Sequence, residues 1–246
     1  MLHHTHGLVI RSVKYGETSL VVSMFTELFG LQQFMVNGVR TSKVNRSISP
    51  MLLQPGNFLD MVVYHNEKQS LQRIKECRPA LQFQDLFVNL KKNTVMLFMI
   101  EILQKTIRQT EPHPELYHFI EDVMKALDAS TPSQMANIPL FFMSHLSHFF
   151  GFRLMDNYSN DHSILDWQEG QFVQQVPSHV YYLEEPQSGW LAQLLRVAQI
   201  HELDEIKLNR NLRNQLLDGC LNFYALHVQP FGPMKSLSVL RAIMDD

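Results

Sequence analysis

The chain changes its hydrophobic period once, near Pro79, and that change constrains its fold more than any other feature. Before it, apolar and polar residues alternate in short runs separated by glycine and polar turns. After it, apolar residues recur every three or four positions over long stretches. The early runs are Gly7–Val13, Thr18–Phe25, Leu31–Val36, Phe58–Tyr64 and Lys68–Lys75. Strands this short in an open sheet would leave edges unpaired. They therefore predict a small antiparallel barrel, closed or partly closed.

The second part reads as helices over Gln82–Arg108, Glu115–Leu127, Gln134–Phe150, Gly189–Ile200, Leu208–Leu226 and Lys235–Met244. In the first of these, Met96, Ile100, Leu103 and Ile107 fall on one helical face. Gly151–Leu183 breaks the pattern with two β-like pieces, Gln171–Val176 and Val180–Leu183. The predicted class is α+β: a barrel domain over residues 1–80, then a helical domain over 81–246 with a β-like insertion at about 151–183. At 246 residues such a chain buries enough surface to need neither disulfide nor metal.

Charge is unevenly placed. The whole chain carries 21 Lys+Arg against 24 Asp+Glu, yet residues 1–80 hold nine basic and five acidic side chains. Between Glu27 and Asp60 there is no acid at all, while Arg40, Lys43 and Arg46 sit there at three-residue intervals. A basic loop between barrel strands is suited to phosphate backbones, without sequence readout. Arg11, Lys14, Arg73 and Lys75 extend the basic set. Tyr15 and Tyr64 are candidates for stacking unpaired bases, whereas Phe34 and Phe58 read as core. Neutralising about four phosphates gives a log–log salt slope of roughly −3 on single strands.

Other chemistries find little support. Two distant cysteines, Cys77 and Cys220, fit a reducing compartment. No signal-peptide core and no apolar run of membrane length is present, so the expectation is a soluble, cytoplasmic protein. His3, His4 and His6 read as a frayed terminus, and His145 and His148 as half-buried helix residues, rather than zinc ligands. No nucleophile elbow, phosphate-binding loop or His-Glu-x-x-His motif occurs, so no enzyme, cofactor or metal is expected. The Phe-rich helix with Phe141, Phe142, Phe149 and Phe150 reads as core packing rather than a docking face. From the residues alone, a peptide-binding scaffold and an RNA-binding module remain alternatives to a DNA-binding one.

The spacing of Tyr15-Gly16-Glu17, Phe25-Thr26, Gly30, Gly38-Val39-Arg40, Lys43 and Leu53-Gln54-Pro55 resembles the N-terminal domain of the bacterial recombination mediator family RecO. Tyr224–His227, Phe231, Lys235-Ser236 and Leu240 are similar to that family's C-terminal helix. The resemblance implies an OB-fold barrel followed by a helical domain. It also implies a non-catalytic activity: binding single- and double-stranded DNA, annealing complementary strands, and acting with RecR to load RecA onto strands covered by single-strand-binding protein. Within that pattern the family's basic surface maps onto Arg40 and Lys43, then Arg46. Many members carry a four-cysteine zinc element where Gly151–Leu183 lies, and this segment has no cysteine. The expectation is a zinc-less remnant held by Trp167, Phe172, Val176 and Tyr181. A partner's acidic, apolar-ended tail would need a pocket lined by a cation, with Lys125 and Arg153 as candidates.

Overall fold

The computed structural model describes residues 1–39, 48–108 and 110–244. Five strands form a closed barrel: β1 (Leu2–Tyr15), β2 (Ser19–Thr26), β3 (Gly30–Val36), β4 (Phe58–Tyr64) and β5 (Leu71–Pro79). Their order is β1-β2-β3-β5-β4, closing back on β1, with β3 and β5 parallel and every other pair antiparallel. This is the OB-fold arrangement. Following paired residues from Leu2 through Tyr64, Arg73, Met35 and Val21 returns to β1 at Val13, so the strands are steeply inclined to the barrel axis. The interior is filled by Val9, Leu20, Val22, Met24, Phe34, Val36, Leu59, Met61 and Val63, one face of each alternating run. Phe58, also buried, belongs to a ring cluster with Tyr117 and Phe83.

β1 begins five residues earlier than the alternation predicted. His3, His4 and His6 are paired with Val63, Val62 and Asp60 of β4, so this terminus is a strand and is not frayed. β5 begins later, at Leu71, because the residues before it form a turn held by the Gln72 side chain, which accepts from Asn66 N and donates to the carbonyls of Asn66 and Gln69. The β2–β3 turn is closed by Thr26, whose hydroxyl donates to Gly30 O and accepts from Phe29 N. Gly30 has φ of +62°, and a Cβ there would lie 2.3 Å from the carbonyl oxygen of Glu111.

The remaining elements are α1 (Leu90–Thr106), α2 (Pro114–Ala129), α3 (Pro132–Leu146), α4 (Gln187–Arg196), α5 (Arg210–His227) and α6 (Leu237–Met244). A small sheet of β6 (Ile164–Asp166), β7 (Gln171–Val173) and β8 (Tyr182–Leu183) has the order β7-β6-β8. The chain divides into two compact units. One joins residues 1–84 with Ile100–Asp122; the other joins Asp85–Met99 with Val123 onward. α1 starts later than its apolar pattern, because Asn89 takes the N-cap position and accepts from Lys91 N and Lys92 N. Before it, the Asp128 carboxylate accepts from Asp85 N and Leu86 N, fixing that stretch in a non-helical form.

In the second unit, Phe141 and Phe142 are buried, in line with core packing, and Tyr224 donates from its hydroxyl to Met143 O at 2.7 Å. α3 ends in a 3-10 turn over Ser147–Phe150, stopped by Gly151 at φ +77°. In the cysteine-free insertion, Trp167 and Phe172 are buried, but Val176 and Tyr181 are 52% and 40% exposed and do not hold it together. Asp166 does that work: its carboxylate accepts from Gln168 N and Glu169 N and lies 3.3 Å from His179 Nε2.

Candidate nucleic-acid interface

Two bulges set the outward face of the barrel. In β1, Val9 pairs with Met24 and Arg11 with Ser23, so Ile10 is the extra residue. Its carbonyl accepts from Gln104 Nε2 at 2.7 Å. In β5, Glu76 pairs with Val62 and Ile74 with Val63, so Lys75 is extra. Each extra residue inverts the side-chain phase beyond it. Val9 points into the core, so unbulged alternation would turn Arg11 inward as well. With the bulge, Arg11 shares the face of Ser23, between buried Val22 and Met24, and is exposed. Likewise Arg73 stands outward, directly between Tyr64 and Met35.

The predicted residues fall into two groups on this wall. Arg11, Val13 and Tyr15 alternate outward along the end of β1, with Tyr15 60% exposed. Tyr64, Arg73 and Lys75 lie across β4 and β5, with Tyr64 48% exposed. β2 and β3 separate the groups and carry no acidic residue. Lys14 is on the opposite phase: it pairs with Leu20 at the end of β1 and is exposed there. Arg40, Lys43 and Arg46 lie outside the described residues, while Val39 and Ile48 on either side of that stretch are buried in the barrel core.

The cations differ in whether they are already engaged. Arg78 pairs with Asp60 at 2.7 Å, and its hydrogen bond holds the Asp60 carboxyl below the ordinary carboxylate value. Lys75 lies 3.2 Å from Glu76. Arg11, Lys14 and Arg73 have no carboxylate partner among the described residues. Elsewhere on the barrel unit, His6 and His118 both contact Glu27, and His4 contacts Asp60. Those carboxylates thus already have histidine or arginine neighbours, whereas the Arg11 and Arg73 wall carries positive charge that no carboxylate among the described residues neutralises.

A family model for the N-terminal part of recombination protein O matches residues 1–83, and one for its C-terminal part matches residues 88–238. The chain belongs to the recombination protein O (RecO) family. It is 30% identical over 243 residues to the DNA repair protein RecO of Christiangramia forsetii, covering 99% of each chain. It is also 30% identical over 248 residues to the Bacteroides fragilis protein of that name, covering all of both. The corresponding protein of Azobacteroides pseudotrichonymphae is 25% identical over 245 residues, again end to end. The RecO resemblance seen in the N-terminal spacing therefore extends over the whole length.

The second unit of this RecO-family chain holds one feature that its sequence pattern does not expose. Pro139 and Leu140 of α3, Leu217 of α5 and Leu240 of α6 line a narrow groove with Arg213 and Arg241 at its side. Its free space is about 20 Å³, one water rather than one side chain. The Nε of Arg241 is buried without a hydrogen-bond partner among the described residues, while its Nη2 donates to Asp218 at 2.5 Å. Arg153, picked from sequence, lines a different, open cleft with His148, Met155 and Leu195, and Lys125 lies in neither. Helical spacing gives no signal for Arg241, because the groove is assembled from three helices distant in sequence.

Proposed function

We propose that this protein is a recombination mediator in DNA repair. It binds single- and double-stranded DNA through the barrel wall and the acid-free loop, and it brings complementary strands together for annealing. The observation that carries this reading is the set of exposed cations, Arg11, Lys14 and Arg73, that meet no carboxylate on the described barrel. The loop with Arg40, Lys43 and Arg46 adds three more charges and no acid. Such a surface lowers the repulsion between two phosphate backbones, so two strands can approach while contacts stay mainly on phosphate. No covalent step is part of this activity. With RecR, the protein helps load RecA onto strands covered by single-strand-binding protein, in the cytoplasm at the nucleoid.

A partner's acidic, apolar-ended tail has a candidate seat in the α3–α5–α6 groove. The unpartnered Arg241 Nε offers a charge-assisted donor to a carboxylate, and the apolar lining suits the terminal side chain. The groove is too tight to admit that side chain as it stands. α6 must give way, and it buries one residue only, Leu240. The decisive experiment for the main reading is a salt-dependent binding titration of the intact protein with a strand-annealing assay. A slope of roughly −3 or steeper on single strands, with annealing, is the expected result. A salt-independent affinity would instead favour a peptide-binding scaffold, and preference for a ribo-oligonucleotide would favour an RNA module.

A further inference from the structure

A bulge takes its extra residue out of the regular ladder, and the two bulges of the barrel compensate for that differently. Lys75 is exposed, so water reaches its backbone. Ile10 is only 3% exposed, and a buried carbonyl left without a partner is destabilising. Its partner is the side-chain amide of Gln104, which donates to Ile10 O at 2.7 Å from 94 residues along the chain. Gln104 belongs to the part of α1 that lies in the barrel unit.

The bonds on either side of Ile10 show why this contact governs direction. The N–H of Val9 donates to Asn57 O and its carbonyl accepts from Gly56 N, both at 2.9 Å. The Ser12 hydroxyl donates to Leu53 O. Val9 and Ser12 are thus held by the segment that leads into β4, whereas Ile10 between them is held by a side chain of α1. Gln104 is itself exposed, so its amide has water as an alternative partner, yet it is aligned on a buried carbonyl. Beyond the bulge, Arg11, Val13 and Tyr15 take the outward phase that the extra residue creates. Without a donor, Ile10 O is relieved only by carrying the extra residue toward water or back into the ladder. Either movement turns the residues after it away from that phase.

We infer that Gln104 is a positioning residue for nucleic-acid binding: by holding the Ile10 carbonyl it keeps the β1 bulge in place, and so keeps Arg11 outward where phosphate can meet it. Gln104 touches no ligand in this role and acts through Arg11. The inference rests on the phosphate-binding reading of the wall.

The test is a double-mutant cycle on the intact protein. Binding of a labelled single strand is followed from about 50 to 200 mM salt. Arg11→Gln should flatten the log–log slope by about 0.7, the contribution of one phosphate contact. Gln104→Leu should flatten it by a similar amount, so the advantage of wild type over either variant shrinks by roughly 2.6-fold across that range. In the Arg11→Gln background, Gln104→Leu should change the slope by less than about 0.2; in the Arg73→Gln background it should again flatten it by about 0.7. A general loosening of the fold would act alike in both backgrounds. Melting curves establish that each variant is folded at the assay temperature, and Gln104→Ala, which removes the same donor, replaces Gln104→Leu if that variant is not. An unchanged slope for the Gln104 variant beside a flattened one for Arg11→Gln overturns the inference and leaves the phosphate reading standing, as does an equal loss in both backgrounds. An unchanged slope for Arg11→Gln removes Arg11 from phosphate binding, and the inference with it.

Discussion

Neutralising the three unengaged barrel cations, Arg11→Gln, Lys14→Gln and Arg73→Gln together, isolates the electrostatic contribution of the strands from that of the loop. Each phosphate contact on a single strand contributes about 0.7 to the log–log salt slope, so three contacts contribute about 2. Over a fourfold rise in salt, from about 50 to 200 mM, the advantage of wild type over the variant should shrink by roughly 20-fold. The substitutions are exposed and break no ion pair, so stability should change by less than about 0.5 kcal/mol for each. Fluorescence anisotropy with a labelled single strand across a salt series gives both slopes. Arg78→Gln is the internal control. Its guanidinium is already committed to Asp60, whose side chain is only 11% exposed. Removing it should barely move the slope while lowering stability, because a largely buried carboxylate is left less well compensated. A triple variant with an unchanged slope, or an Arg78 variant that flattens the slope as much as the triple one, would refute the assignment of the wall.

Three further outcomes follow from particular contacts. Gly30→Ala must adopt φ near +62° and place a Cβ against Glu111 O, a combination costing about 3 kcal/mol. That predicts a melting temperature lower by roughly 6–12 °C, and a shift under about 2 °C would show that the turn moves freely. Burial pushes the His145 imidazole below its ordinary value, against the opposing hydrogen bond from its Nδ1 to Phe141 O. The unfolded chain therefore takes up this proton first: the stability contribution is complete above the ordinary histidine value near 6.5 and is lost as pH falls below it. His145→Gln should accordingly weaken the fall in melting temperature between about pH 7 and 5, and parallel profiles would contradict the assignment. Arg241→Ala should weaken an acidic, apolar-ended peptide by at least about tenfold, the scale of a lost charged hydrogen bond, without changing DNA affinity. A peptide isotherm that does not move would exclude the α6 groove as its seat.

Much of the fold was legible because the barrel strands combine alternation with β-branched residues, and because Gly30 marks a turn in a way that local chemistry dictates. The misread stretches are those decided by tertiary partners. Histidine has no strong strand preference, so Leu2–His6 gave no local signal, yet β4 supplies a complete ladder to it. Residues 82–89 carry helix-compatible side chains, and it is the carboxylate of Asp128, some 40 residues away, that holds Asp85 and Leu86 otherwise. β6 is three residues long, too short for any period to register. In the insertion, apolar content pointed to Val176 and Tyr181, whereas a buried carboxylate bonded to two backbone amides does the holding.

The candidate interface shows the same division more sharply. An acid-free stretch is a property of sequence and can be read without a structure. Whether a given cation is available is not. Arg73, Lys75 and Arg78 lie within six residues and read alike, but their surroundings differ through register alone. Arg78 falls opposite Asp60 and is neutralised; Lys75 is the bulged residue beside Glu76; Arg73 falls opposite Tyr64 and meets no acid. Remove the bulge, and Ile74 would face Tyr64 while Arg73 would take the inward phase that Ile74 now fills against the core. The Ile10 bulge acts in the same way on Arg11 and Tyr15. A one-residue insertion in each of two strands therefore converts what alternation would make core positions into the exposed Arg11, Tyr15 and Arg73 of the wall. Because the extra residue is invisible to hydrophobic period, the chemistry of this face was present in the sequence, while its direction was set only by the pairing of the strands.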